Sequence, residues 1–228
     1  MSPEKCVILV PVQSWIEHQC EKGLQDLEKR GYSVWRIRGY AAIDQGRNQM
    51  ATDALRHGFE ETMWIDSDIS FNVEDVEKLR SHNLPISSAI YPKKGQRSIA
   101  SSVLPGTKQI SFGKQGGLIE IQYAATGFLH VRREAYETIQ EKLSLPLCNQ
   151  RFDAPMIPFF QPMIVDDPPE GQWYLAEDFS FCERALRAGL KIYADTTIRL
   201  NHIGSYGYSW EDAGGELERF HSYKLHLR

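Results

Sequence analysis

The residues that invite chemistry begin with Trp64-Ile65-Asp66-Ser67-Asp68-Ile69, where an apolar run ends in two carboxylates at spacing i, i+2. Acids placed that close repel one another and call for a shared cation or a shared proton. Mg²⁺ or Mn²⁺ suits such oxygen ligands when phosphates complete the coordination shell. The plain alternative is that both acids cap the turn that follows. A second acidic pair, Glu177-Asp178, opens a helical pattern. Acids favour that position for dipole reasons alone, yet one facing a cleft can equally act as a general base. His202, in Leu200-Asn201-His202-Ile203-Gly204, ends an apolar run just before a segment rich in Gly and Tyr that could close over a ligand. Its imidazole is a good third ligand for Mn²⁺, or else an ordinary hydrogen-bonded residue at a strand end. Gly46-Arg47-Asn48 begins another helical pattern, which places Arg47 to face an anion or an acid of the metal site. The lysines of Tyr91-Pro92-Lys93-Lys94 read as solvated rather than as phosphate contacts.

The elements that must position these residues alternate from the start. CVILV (6–10) is a continuous β-rich run, the mark of a strand buried on both faces, and Ile16, Cys20, Leu24 and Leu27 then recur at helical spacing until Gly31. SVWRI (33–37) is a second strand; GYAAIDQG (39–46) turns into a helix bearing Met50, Ala51, Ala54 and Leu55. TMWID (62–66) is a third strand, and Asn72 with Asp75 forms a capping box ahead of Val73, Val76 and Leu79. ISSAI (86–90) is a fourth strand. This order predicts a parallel, helix-covered sheet, in which ligands bind beyond the carboxyl ends of the strands, where Asp66 and Asp68 emerge. After about residue 91 the runs IASSV, KQISF, LIEIQ and TGFLHV read as hairpin or edge strands, followed by a helix over 134–143. Residues 144–173 hold six of the eleven prolines together with Phe152, Phe159, Phe160 and Trp173, which predicts an ordered functional loop without regular helix. AEDFSFCERALRAG (176–189) is helical, and KIYAD and IRLNHIG close the chain's regular part.

Composition sets the outer limits. The 228 residues carry 26 basic and 30 acidic side chains and are 42% hydrophobic, the balance of an ordinary globule. The net charge of −4 argues against a surface that tracks nucleic acid throughout. No apolar run reaches the roughly 18 residues that span a bilayer. Cys6, Cys20, Cys148 and Cys182 form no C-x-x-C pair, so neither a zinc knuckle nor a disulfide framework is expected, and a reducing, cytoplasmic setting fits. No G-x-G-x-x-G follows the first strand, which disfavours a dinucleotide oxidoreductase.

As an ordered set, VILVPV (7–12), GRN (46–48), WIDSD (64–68), ATGFLHVRREAYE (125–137), EDFSFCERALRAGLKIYAD (177–195) and NHIG (201–204) resemble the metal-dependent, nucleotide-sugar glycosyltransferases of the GT-A fold, in the manner of glycosyltransferase family 2. The resemblance spans nearly the whole chain. It implies an α/β, Rossmann-like domain over 1–228 with a mostly parallel central sheet and a mixed C-terminal half, residues 1–92 on the nucleotide side and 93–228 on the acceptor side. It implies that Pro11, Val12, Gln13, Asp44 and Arg47 hold the nucleotide, with Asp66 and Ser67 at the ribose or cation and Gly127, beside Ala125 and Thr126, lining the sugar. Asp66, Asp68 and His202 would ligate Mn²⁺ or Mg²⁺, Asp178 would be the catalytic base of an inverting transfer, and Glu177 would flank it. The implied reaction is hexosyl transfer from a nucleotide sugar, UDP preferred by family habit, to an acceptor hydroxyl. A glycan is the favoured acceptor; a protein side chain, a lipid-linked sugar and a modified base in DNA stay open, as does retention rather than inversion.

Two other readings stand beside it. A haloacid-dehalogenase type phosphatase also ends a strand in D-x-D and uses Mg²⁺, but its first acid is a nucleophile on the chain's first strand, whereas here the motif lies on the third and continues Asp68-Ile69-Ser70. A binding module that keeps the fold without catalysis would bind nucleotide and hydrolyse no donor.

Overall fold

The computed structural model describes residues 2–214. In chain order the strands are β1 (Cys6–Val12), β2 (Ser33–Arg38), β3 (Glu61–Ile65), β4 (Ile69–Ser70), β5 (Ile86–Ser88), β6 (Ser102–Val103), β7 (Leu118–Tyr123), β8 (Phe128–Arg132), β9 (Met163–Asp167), β10 (Gly171–Leu175), β11 (Ile192–Asp195), β12 (Asn201–Ile203) and β13 (Gly207–Tyr208). The helices are α1 (His18–Lys29), α2 (Ile43–Arg56), α3 (Val73–Ser81), α4 (Arg133–Leu143) and α5 (Glu177–Arg187). Eight strands form one sheet in the order β2-β1-β3-β8-β5-β11-β7-β6, and β13-β12-β4 form a second, small one.

Alternation along the buried strands sorts the core into two layers. Val7, Leu9 and Trp64 face Met50 and Ala54 of α2, Tyr136 of α4 and Phe181 of α5, whereas Cys6, Ile8, Val10, Met63 and Ile65 face Leu24 of α1 and Val76 of α3. A period of two therefore fixes which helices each strand residue meets. Asp66 has the parity of Trp64, and so it emerges on the side of α2 and α5.

The expected parallel core is present in part. β1 pairs in parallel with β2 and β3, and β5 with β11. TGFLHV, read as an edge or hairpin run, instead enters as β8 between β3 and β5, antiparallel to both. Its Phe128 to Val131 are fully buried, which suits a central strand. KQISF forms no strand: Phe112 stacks on Trp210 and Gly113 N donates to Thr196 O at 3.0 Å. Helix α2 starts at Ile43, inside the segment read as a turn, so Gly46 lies in its first turns, where the Tyr40 ring packs against its bare Cα. The proline-rich stretch holds no α-helix, as expected, but it does contain the β9–β10 hairpin. The four cysteines are free, and among the described residues no helix is long and apolar enough to cross a membrane.

At the opposite end of the strands from the acids, Arg80 of α3 is buried. It donates to Glu61 Oε2 at 2.8 Å and Oε1 at 2.9 Å and to Tyr32 Oη at 2.8 Å. His130 Nε2 lies 2.7 Å from the same carboxylate. Burial pushes the Glu61 carboxyl up, but the bonds from Arg80 and His130 outweigh it and hold the group at about 2. This depressed acid contributes stability above pH 4.5 that is lost as the pH falls from there toward 2. Arg80→Met leaves the carboxylate buried without its fork of donors and is expected to cost about 3 to 5 kcal/mol in urea denaturation at pH 7; a loss under 1 kcal/mol would contradict the buried pair.

Candidate active site

Beyond the carboxyl ends of β1 and β3 the chain gathers four acids, and a buried arginine links two of the elements that carry them. Arg47, only 2% exposed, donates from Nη2 to Asp66 Oδ1 at 2.7 Å and from Nε to Glu177 Oε1 at 3.4 Å. Its guanidinium carbon lies 5.4 Å from the Trp64 ring centroid, a cation–π contact from the residue two before Asp66. Burial works against the charge of Arg47, but Asp66 and Glu177 outweigh it and keep the group protonated. Its Nη1 is buried without a partner among the described residues. Arg47 thus faces two acids, Asp66 and Glu177.

Several contacts hold the two helices in place. Asn48 Oδ1 accepts from Phe160 N at 2.6 Å, and Thr52 Oγ1 from Ile157 N at 2.9 Å, so α2 pins the proline-rich segment. Arg184 of α5 grips the same segment, donating to Gln161 O at 2.6 Å. Ser180 joins the hairpin's two ends to the first turn of α5: its hydroxyl donates to Leu175 O at 2.9 Å and accepts from Met163 N at 3.1 Å. Asp178 is therefore carried on a braced helix start. Desolvation pushes its carboxyl up to about 6, Glu177 next to it adds to the rise, and the bond from Phe179 N–H to Oδ1 and the charge of Arg47 moderate it. A carboxylate poised near neutrality is what a general base requires.

Gly127, at the turn into β8, is a point of close approach. Its N–H donates to Tyr91 Oη at 2.9 Å and its carbonyl accepts from Asp66 N at 3.0 Å. A Cβ there would lie 2.2 Å from Tyr91 Oη and 3.1 Å from Asp66 Oδ2, so only glycine lets these groups converge.

Asp68 belongs to a separate arm of the site. β4, directly after it, pairs with β12, and Ile203 N donates to Asp68 O at 2.7 Å. The small sheet thus brings His202 to Asp68, with Nε2 3.5 Å from Oδ2. His202 Nδ1 lies 2.9 Å from Pro92 O, a carbonyl that can only accept, so Nδ1 carries a proton and Nε2 is the ring atom turned toward the carboxylate. Lys94 Nζ stands 2.6 Å from the same Oδ2. Burial pushes the Asp68 carboxyl up, but His202 and Lys94 together hold it below the usual carboxylate range.

Of the expected metal set, Asp68 and His202 come together, whereas Asp66 is engaged by Arg47. Among the described residues no group of three His, Cys, Asp or Glu side chains gathers around a point that could hold an ion. Two ligands of one ion bound at about 2.1 Å sit roughly 3 to 3.5 Å apart, and a metal-bound His donates its other N–H to a carbonyl or carboxylate. The Asp68–His202 pair fits that pattern as a two-ligand site needing oxygens from elsewhere, such as phosphates.

Of the nucleotide-side residues, Pro11, Val12 and Gln13 line a cavity of about 270 Å³ with Ile37, Tyr40, Ala41 and Ile43, at the ends of β1 and β2. Asp44 is half-buried in the first turn of α2, next to Ile43 of that wall. Ser67 accepts at its carbonyl from Glu17 N, 2.8 Å away, which ties the acid turn to the entrance of α1. Sequence reasoning named Tyr91 and Lys94 just past the fourth strand and read the lysine as solvated; the structure sets Lys94 Nζ on Asp68 and Tyr91 Oη on the Gly127 N–H, contacts that no local pattern announces.

No protein-family model matches the chain, and no curated protein matches it in sequence. Among solved structures it is similar to A197 from STIV, at 14% identity over 96% of this chain and 99% of that one, with a TM-score of 0.57. It also overlaps a glycosyltransferase involved in glycosylation of the major capsid of PBCV-1 (16% identity, 60% of this chain, 65% of that one, TM-score 0.33). GalNAc-T7 with UDP, GalNAc and Mn²⁺ gives 13% identity over 90% of this chain and 44% of that one, with a TM-score of 0.48. The first shares this α/β fold; the other two overlaps are too loose to bear on function.

The raised Asp178 carboxyl sets an expectation for stability. The native state holds this proton more tightly than the unfolded chain, so the group costs stability as the pH rises from about 4 to about 6. Asp178→Asn is therefore expected to stabilise the fold by about 1 to 3 kcal/mol at pH 7.5 and by little at pH 4, read from urea melts at the two pH values. An equal gain at both, or none, would contradict the desolvated acid.

Proposed function

We propose that this chain is a glycosyltransferase that moves a sugar from a nucleoside-diphosphate sugar, UDP preferred, to an acceptor hydroxyl with inversion. The observation that carries this reading is Asp178: a carboxyl pushed up to about 6, on a braced helix start, coupled through Arg47 and Glu177 to the acid at the tip of β3. Transfer from a nucleotide sugar makes two demands, and Asp178 supports the second. Breaking the bond from the anomeric carbon to phosphate leaves negative charge on a diphosphate, and the attacking hydroxyl must lose its proton on the opposite face of the sugar.

In this reading Asp178 takes the acceptor proton and Glu177, fixed on Arg47, keeps negative charge beside it so that Asp178 stays basic. Pro11, Val12 and Gln13 receive the base in their cavity, with Asp44 at its rim. Asp66 and Ser67 turn toward the ribose, and Gly127, whose Cα packs against Tyr91 Oη, lines the sugar side with its backbone. Asp68 and His202 would hold Mn²⁺ or Mg²⁺, which when bound neutralises charge on the departing diphosphate. The acceptor proposed is a glycan, met by the aromatic loops at 144–173 and 205–210. A Mg²⁺-dependent phosphatase is less well supported, because Asp66, which would be the nucleophile, is engaged by a buried arginine.

The test is a screen of UDP- and GDP-sugars for hydrolysis with Mn²⁺ or Mg²⁺, which needs no acceptor. Hydrolysis or nucleotide binding that depends on the ion is expected, and its absence in every pairing would remove the reading. Asp178→Asn is expected to retain donor affinity while transfer falls by about 10² to 10⁴. In the wild type kcat is expected to fall below about pH 6 as Asp178 takes up its proton. Unaltered turnover in the variant would take the base role away.

A further inference from the structure

We propose that Lys94 is a displaceable counter-ion of this site: its ammonium holds Asp68 when no ligand is bound and passes to the phosphates of the donor once a divalent ion takes Asp68. The inference rests on the donor class proposed above.

Three features argue for exchange rather than a fixed structural pair. First, Asp68 Oδ2 has Lys94 Nζ at 2.6 Å and His202 Nε2 at 3.5 Å. In this structure the cation nearest that oxygen is Lys94. An ammonium on that oxygen and a divalent ion placed between it and His202 Nε2 repel each other, so the two compete for Asp68.

Second, the pair is accessible, with the Lys94 side chain 35% and the Asp68 side chain 30% exposed. Exposed pairs are screened and weak, so this one yields readily to a competing dication. Third, the chain around Lys94 is fixed at its base and open at its tip. Ala100 N bonds Tyr91 O and Lys93 N bonds Ser98 O, both at 2.9 Å, while Lys94, Gly95 and Gln96 are exposed. The stem passes over Gly204, where a Cβ would come within 3.3 Å of Lys94 Cδ, so the bare Cα leaves it room.

Pro92 O, which accepts from His202 Nδ1, lies two residues before Lys94, so one short segment sets both groups. Once released, the ammonium stays beside the position where phosphates complete the ion's shell, and lysine binds phosphate as a mobile point charge.

Lys94→Met keeps the stem and removes the charge. Calorimetric titration with Mn²⁺ alone is expected to show roughly fivefold tighter binding in the variant, because a competitor is gone. Titration with UDP and with GDP at saturating Mn²⁺ is expected to show about tenfold weaker binding, because a phosphate contact is gone. The shifts have opposite signs. A merely structural lysine would weaken both, and a bystander would move neither; either result overturns the proposal while leaving nucleotide binding by the wild type in place. If the wild type binds neither UDP nor GDP with Mn²⁺, the donor reading fails and the role of Lys94 falls with it.

Discussion

Negative charge has to be gathered at one end of the sheet without pushing the sheet apart, and the buried Arg47 is the contact that allows it. It bridges Asp66 and Glu177, which are more than 100 residues apart in sequence, and lies over Trp64 in the core. A guanidinium this buried pays a large desolvation penalty that its two carboxylates must offset, so each partner needs the other in place. The direction in which Asp66 points and the seating of α5 follow from that three-way contact, whereas the carboxyl of Asp178 is raised first by its own burial and then by Glu177, with Arg47 holding it down.

The surrounding architecture supplies two further arms. The proline-rich segment is clasped between α2 and α5 by Asn48, Thr52 and Arg184, which fixes the helix start bearing Asp178. The small sheet of β4, β12 and β13 carries His202 back to Asp68 across more than 130 residues of sequence. The two acids of Asp66-Ser67-Asp68 thus serve different neighbours: one is neutralised by a buried, permanent cation, and the other by an exposed one. The two carboxylates are about equally exposed, at 31% and 30%, so what differs is the burial of the cation that each one holds.

Much of this was legible in the chain. The run Cys6 to Val10, the helical stripe of Cys20, Leu24 and Leu27 and the capping box of Asn72 and Asp75 depend on local periodicity and local hydrogen bonds, and the structure has them where they were expected. Strand ends in a parallel sheet also pointed to Asp66 and Asp68. What stayed hidden depends on long-range insertion. Nothing local to Phe128–Arg132 says that β8 enters between β3 and β5, and the alternation of KQISF does not reveal that it lacks a partner strand. The same limit applied to Lys94, whose partner Asp68 lies 26 residues away, and to Asp66, whose contact with a guanidinium from α2 no local pattern announces.

The central claim is that both arms form one donor site, with the ion at Asp68 and the base at Asp178. Anomalous diffraction from crystals grown with UDP and Mn²⁺ tests it most directly. The account predicts a manganese peak within coordination distance of Asp68 and His202, bridged by the diphosphate, with the base in the Pro11–Gln13 cavity. Nucleotide bound elsewhere, or a manganese peak distant from Asp68, would contradict it.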